Sequence, residues 1–220
     1  MSKIKVITAY EGDCCYQDLT LGNMREYCQR WGYEFKANIN SPYWKPLVYP
    51  HCMMWRKTEM LIEELHDCDW ILWLDLDCFF LNMTVPLEGA FTDETADLVI
   101  TGSFGPCPEC GKAVHNVGLL SFRNCNWSRE ILTGWWDQEH ERIKLNPAPE
   151  YTHCVGETLW LSCQVVENPV HVSHVKILPL AIAGWATITG SPDQFLTHQY
   201  AALQPAKRKM FEKLEQRVIR

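Results

Sequence analysis

The chain has 220 residues, a formal net charge of −7, 47% hydrophobic residues and 21% charged ones. That apolar content can bury a sizeable core and excludes a disordered chain, whose few apolar side chains could not offset the entropy of ordering. The acidic balance excludes a protein that wraps nucleic acid, because phosphate neutralisation needs a clustered Lys/Arg surplus, but it leaves a small nucleotide as a partner.

In chain order, Lys3 to Tyr10 is apolar and β-branched and reads as a buried first strand, closed by Glu11-Gly12-Asp13. Leu21, Met24, Tyr27, Cys28 and Trp31 have helical spacing, with Gly32 as the cap and Tyr33-Glu34-Phe35 as a second strand. Pro42, Pro46 and Pro50 punctuate a loop before a helix over Met53 to Leu65. Trp70-Ile71-Leu72-Trp73-Leu74 is nearly continuous in its apolarity, as suits a parallel strand covered on both faces. Strands follow at Asp97 to Thr101 and Val117 to Arg123, separated by a loop over Gly105 to Lys112. Helices at Ser128 to Arg142 and Glu157 to Val166 and a strand at Lys176 to Ala181 continue the alternation. Strand–helix alternation predicts one α/β domain over residues 1–204, a mostly parallel sheet with helices on both faces and ligands at the carboxyl ends of its strands. Residues 205–220 read as a charged amphipathic helix or a linker to a further domain; Lys207-Arg208-Lys209, with Lys213, Arg217 and Arg220, could touch an acidic membrane surface or begin that linker, and the linker is the better reading.

Eleven scattered cysteines and the lack of a basic-then-apolar leader before the first strand read as a reduced, cytoplasmic protein. On that reading Asn82-Met83-Thr84 and Asn126-Trp127-Ser128 match glycosylation sequons by chance. No run reaches the roughly 18 apolar residues of a membrane helix, so no transmembrane segment is expected. Cys107-Pro108-Glu109-Cys110 with His115 could form half a zinc site, but a second Cys-x-x-Cys is missing, and a loose thiol pair is the better reading.

Asp75-Leu76-Asp77 sits at the carboxyl end of the most hydrophobic strand. Residues two apart share a strand face, and a bend beyond it brings both carboxylates onto one divalent cation, Mn²⁺ or Mg²⁺ for oxygen ligands of this kind. A lone Asp-x-Asp is also a common turn, with one Asp capping and the other solvated. The strand context tips the balance, since two charges at the end of a doubly covered strand cost several kcal/mol unless something compensates them.

Four blocks then carry a resemblance. They are Asn23-Met24-Arg25-Glu26-Tyr27-Cys28 with Gly32-Tyr33, and Trp55-Arg56-Lys57 leading to Asp69 through Asp77. Asn116-Val117-Gly118 with Phe122 through Ser128, and Phe195-Leu196-Thr197-His198, complete the set. In this order the chain resembles nucleotide-sugar-dependent glycosyltransferases of the GT-A fold, within them the galactosyl- and xylosyltransferase family 34. It is similar as well to the cytosolic glycosyltransferases that large algal viruses encode for capsid glycans, which would place it in the host cytoplasm.

The resemblance implies a UDP-sugar donor, a glycan or glycoprotein acceptor and retention at the anomeric carbon. Asp75 and Asp77 would hold the cation, with His198 as a third ligand. Thr8, Ala9 and Tyr10 would bind uracil and ribose, although a strand-end tyrosine is as often plain packing. Lys57 either approaches the donor or is a solvated helix-face charge, and Asn116 and Gly118 would face the sugar. Gly102 precedes a loop that would lie over the donor. The family's Asp-Asp-Gln run is reduced here to Val155-Gly156-Glu157, making Glu157 the carboxylate expected at the sugar, against its alternative as a first-turn helix charge. Gln199-Tyr200 replaces the family's Gly-Cys, and a membrane anchor of the family's kind is not expected. Two rival readings remain at this stage: a nucleotidyltransferase, disfavoured by the single Gly after the first strand, and a catalytically inactive sugar- or nucleotide-binding module.

Overall fold

The computed structural model describes residues 2–40, 56–106, 111–145, 158, 160–179, 183–185, 196–198 and 204–220. The β-branched start forms β1 (Ile4–Tyr10), buried from Ile4 through Thr8. Helix α1 (Gln17–Trp31) begins one turn before the apolar stripe announces it, because its first turn carries mostly polar residues; Leu21, Met24, Tyr27 and Cys28 are its buried face. Gly32 ends it at φ 73°, a left-handed conformation that costs glycine nothing. Then come β2 (Glu34–Ile39), α2 (Arg56–Glu64) and β3 (Trp70–Leu74), the last buried at every residue.

Beyond β3 a short strand β4 (Cys78–Phe80) follows, and then β5 (Leu98–Thr101). A pair of antiparallel strands, β6 (Ser103–Pro106) and β7 (Ala113–His115), brackets the expected loop and takes its first two residues. β8 (Leu119–Arg123) starts two residues later than the apolar run suggests, because Val117 and Gly118 belong to a hydrogen-bonded loop. The chain continues through α3 (Asn126–Leu145), β9 (Val175–Leu178), β10 (Ala183–Trp185), β11 (Leu196–His198) and α4 (Gln204–Glu215). The expected helix before β9 is π-wound over Leu161–Val166, with the Glu167 N–H donating to the Ser162 carbonyl at 2.8 Å.

The main sheet has the order β2-β1-β3-β8-β5-β9, with five strands running one way and β8 against them, so it is mostly parallel as expected. Its two faces are covered by different helices. Ile71 and Trp73 of β3 pack with Met60 and Leu61 of α2 and with Leu132 and Trp135 of α3. Trp70, Leu72 and Leu74 pack on the other face with Met24 and Tyr27 of α1 and with Phe80. Each such buried side chain contributes about 1.5–3 kcal/mol, and together they fix the end of β3 in space.

The tail forms a helix that packs on the domain. Phe211 and Leu214 are fully buried, and the Phe211 ring centre lies 5.2 Å from that of Tyr16 and 5.5 Å from that of Phe79. Beyond the helix, the Ile219 N–H donates to Leu81 at 2.9 Å and the Met83 N–H to Ile219 at 2.8 Å. Lys207, Met210, Phe211 and Leu214 recur at helical spacing, and that stripe seats α4 on the domain rather than leaving it in solvent. Among the described residues no helix is long and apolar enough to cross a membrane.

Candidate active site

At the carboxyl end of β3 the chain turns sharply, with the Cys78 N–H donating to the Asp75 carbonyl at 2.9 Å. Asp75 and Asp77 therefore leave the sheet within one turn of each other. Asp75 faces the α2 layer, where its Oδ1 accepts from Trp73 Nε1 at 2.6 Å and lies 3.3 Å from Lys57 Nζ. Lys57 is only 2% exposed, which removes the reading of a solvated helix-face charge. Its ammonium also donates to the Val117 carbonyl at 2.9 Å and stands 5.4 Å from the centre of the Trp73 ring.

Asp77 is met from the other layer. Its Oδ2 accepts from Lys207 Nζ at 2.6 Å, and the two side chains are 12% and 11% exposed. Lys207, read from the sequence only as part of a basic cluster in the tail, is buried because it occupies the first turn of α4, on the stripe that Met210, Phe211 and Leu214 continue. Each carboxylate of the pair is thus matched by a largely buried ammonium drawn from a different helix. Charges withdrawn from water persist only with such compensation.

The segment after Asp77 is pinned by a residue of the first family block. Asn23 of α1 donates from Nδ2 to the Phe80 carbonyl at 3.0 Å and accepts from the Phe80 N–H at 2.7 Å, and the Tyr27 ring stacks on Phe80 with centroids 3.7 Å apart. β4 pairs with β11, putting the backbone of His198 opposite Cys78, one residue from Asp77. The loop ahead of β8 closes the other side: the Gly118 carbonyl accepts from the Asp75 N–H at 2.8 Å, and the Gly118 N–H donates to Asn116 Oδ1 at 2.7 Å. Asn116 is 2% exposed, and its side-chain oxygen helps to shape this loop. Gly102 is half-buried beside it and its carbonyl accepts from the Asn116 N–H at 3.4 Å.

At the end of β1, Thr8 is fully buried and paired in register with Ala37, leaving the half-buried Ala9 and Tyr10 nearer the open edge. Pairing of β1 with β3 stops at Ile7 and Trp73, so the last residues of β1 overhang the turn that carries Asp75. Past Tyr10, Gly12 and Asn40 clamp each other: the Gly12 N–H donates to Asn40 Oδ1 at 2.6 Å and Asn40 Nδ2 donates to the Gly12 carbonyl at 3.3 Å. A cavity of about 460 Å³ opens there, lined by Gly12, Asp13, Cys14, Cys15, Gln17, Asp18 and Asn40. Sequence reasoning missed it, since Asn40 reaches Gly12 only through the parallel pairing of β1 and β2.

Glu157, Cys107 and Cys110 lie outside the described residues. His115, considered beside those cysteines, is buried with Nε2 2.8 Å from Glu167 Oε1 and Nδ1 3.3 Å from the Thr101 carbonyl.

Two carboxylates thus leave the end of β3 toward different helix layers, each balanced by a lysine. The fold is of the GT-A type. Residues 2–98 match the model of the galactosyl transferase GMA12/MNN10 family. The chain is 27% identical over 186 residues to an alpha-1,2-galactosyltransferase of Schizosaccharomyces pombe, covering 72% of this chain and 47% of that protein. It is 31% identical over 124 residues to a probable glycosyltransferase 3 of Oryza sativa, covering 51% and 24%. The chain therefore spans less than half the length of these relatives. A glycosyltransferase involved in glycosylation of the major capsid of PBCV-1 has the same fold, with a TM-score of 0.71 at 17% identity over 96% of this chain and 99% of that one. These matches bear out the resemblance carried by the sequence blocks: the chain is similar to family-34 glycosyltransferases and has the GT-A fold.

Proposed function

We propose that the domain is a divalent-cation-dependent glycosyltransferase that moves a sugar from a UDP-sugar to a glycan or glycoprotein acceptor in the cytoplasm. The observation that carries this reading is the pair Asp75 and Asp77, both compensated by lysines, at the carboxyl end of the central strand of a family-34-like domain. Asp75 and Asp77 would hold Mn²⁺ or Mg²⁺, with His198, whose backbone pairs beside them, as the third ligand. Bound there, the cation would neutralise the charge that develops on the departing diphosphate.

The chain's own residues supply the rest. Ala9, Tyr10 and the cavity beyond Gly12 would take the base and ribose, for which about 460 Å³ is adequate room. Lys57 adds positive charge next to Asp75, and the Asn116 to Gly118 loop shapes the sugar side together with Gly102. Glu157 is assigned to the sugar itself. In the transfer the bond from the anomeric carbon to the diphosphate oxygen breaks, the acceptor hydroxyl oxygen bonds to that carbon on the same face, and the hydroxyl proton leaves on the diphosphate. That course retains configuration and needs no protein nucleophile.

A screen of nucleotide sugars tests the reading. Release of UDP from one UDP-sugar in Mn²⁺, abolished by a chelator, is expected. Tight UDP binding with no turnover of any sugar would make the domain an inactive binding module, and consumption of a nucleoside triphosphate with a sugar phosphate would make it a nucleotidyltransferase.

A further inference from the structure

We propose that Lys207 is the resident counter-ion of Asp77, and that its displacement makes divalent-cation binding and nucleotide-diphosphate binding depend on each other. The inference rests on the cation reading of Asp75 and Asp77 above and goes beyond it by assigning a coupling to a residue outside every motif of the resemblance.

Lys207 Nζ lies 2.6 Å from Asp77 Oδ2, and both side chains are close to nine-tenths buried. The helix that carries the lysine is held down. Arg208 donates to both carboxylate oxygens of Asp18, at 2.9 and 3.3 Å, and to the Cys15 carbonyl, and Phe211 is wedged between Tyr16 and Phe79. The ammonium therefore moves by rotation of its own four-carbon stem, with the helix staying in place. A doubly charged ion on Asp77 would repel an ammonium left on the same carboxylate, and the repulsion is weakly screened in a site this dry. An ammonium that simply leaves Asp77 loses its partner in a place where hydration does not replace it. Nearby, Lys207 stands 5.7 Å from the centre of the Tyr16 ring, a softer partner than an anion.

A diphosphate resolves both costs at once, because its oxygens offer the displaced ammonium a new anion while the cation takes the carboxylate. Each ligand then binds poorly alone and well in the presence of the other. Linkage requires the same factor in both directions.

The test is Mn²⁺ titration followed by the electron paramagnetic resonance of free Mn²⁺, with and without UDP, on the wild-type chain, Lys207→Met and Lys207→Arg. In the wild type UDP is expected to tighten Mn²⁺ binding at least about tenfold, within the range usual for coupled sites. Lys207→Met should bind Mn²⁺ more tightly than wild type without UDP, and UDP should then tighten it less than about threefold. Lys207→Arg keeps the charge and should keep the wild-type coupling, so that a loss seen in Lys207→Met alone is assigned to the missing charge. An unchanged coupling factor in a folded Lys207→Met chain overturns the inference while leaving the cation reading intact. Failure of the wild type to bind Mn²⁺ with UDP present overturns the cation reading and the inference together.

Discussion

Asn23 explains why a helix residue belongs to a block that resembles glycosyltransferases. Its amide makes paired hydrogen bonds to the backbone of Phe80 and so fixes the segment that follows Asp77. Asn23→Ala leaves a buried N–H and carbonyl unsatisfied and should cost about 2–4 kcal/mol in urea unfolding, with a fall in Mn²⁺-dependent UDP affinity beyond the loss of folded protein. Full UDP affinity in the folded fraction would confine Asn23 to packing. Glu157 is a sharper case, because it stands where the family has a longer acidic run. If it faces the sugar, Glu157→Gln should lower turnover about a hundredfold with UDP affinity unchanged. A first-turn helix charge would instead cost under about 1 kcal/mol of stability and leave turnover as it was.

At the scale of elements, the C-terminal helix contributes a side chain to the site as well as packing. Phe211→Ala should destabilise the chain by about 3–5 kcal/mol in denaturant unfolding, and it should weaken the coupling between Mn²⁺ and UDP because Lys207 rides on the same helix. A variant that loses stability and keeps the coupling would separate the helix from the site. The strands β1, β3 and β5, the faces of α1 and α2 and the Asp75/Asp77 pair were legible in the sequence because each is a local pattern of apolar residues ended by a breaker or a charge. Lys57 was legible as a candidate but not in its burial, which depends on α2 lying across β3. β4 and the β6–β7 pair were not legible, being three or four residues long with no alternation to mark them. Lys207 and the Gly12–Asn40 clamp were hidden for another reason: each joins residues far apart in the chain, and no local spacing encodes the contact.

Taken whole, the molecule has a distinct acid sensitivity. Burial works against ionisation of Glu64, but hydrogen bonds from Lys36 and Lys5 overcome it and hold its carboxyl below the usual range. Asp93 is held lower still by its hydrogen bonds from Lys176 and Thr95. A carboxyl whose pKa is lower folded than unfolded stabilises the fold fully above its unfolded value, near 4, and loses that contribution as pH falls through the folded one. The melting temperature should accordingly hold from pH 7 to about 5 and drop below about pH 4, with Glu64→Gln flattening part of the drop. An equal drop in the variant would move the effect to other carboxylates. Whether the acidic pair at the end of β3 binds a nucleotide diphosphate through a divalent cation is decided by calorimetric titration of UDP into the wild-type chain and Asp77→Asn, with Mn²⁺ and with a chelator. Wild-type binding should need Mn²⁺ and be lost in the folded Asp77→Asn variant; UDP binding of equal strength in the chelator, or in that variant, would rule out a cation held by this pair.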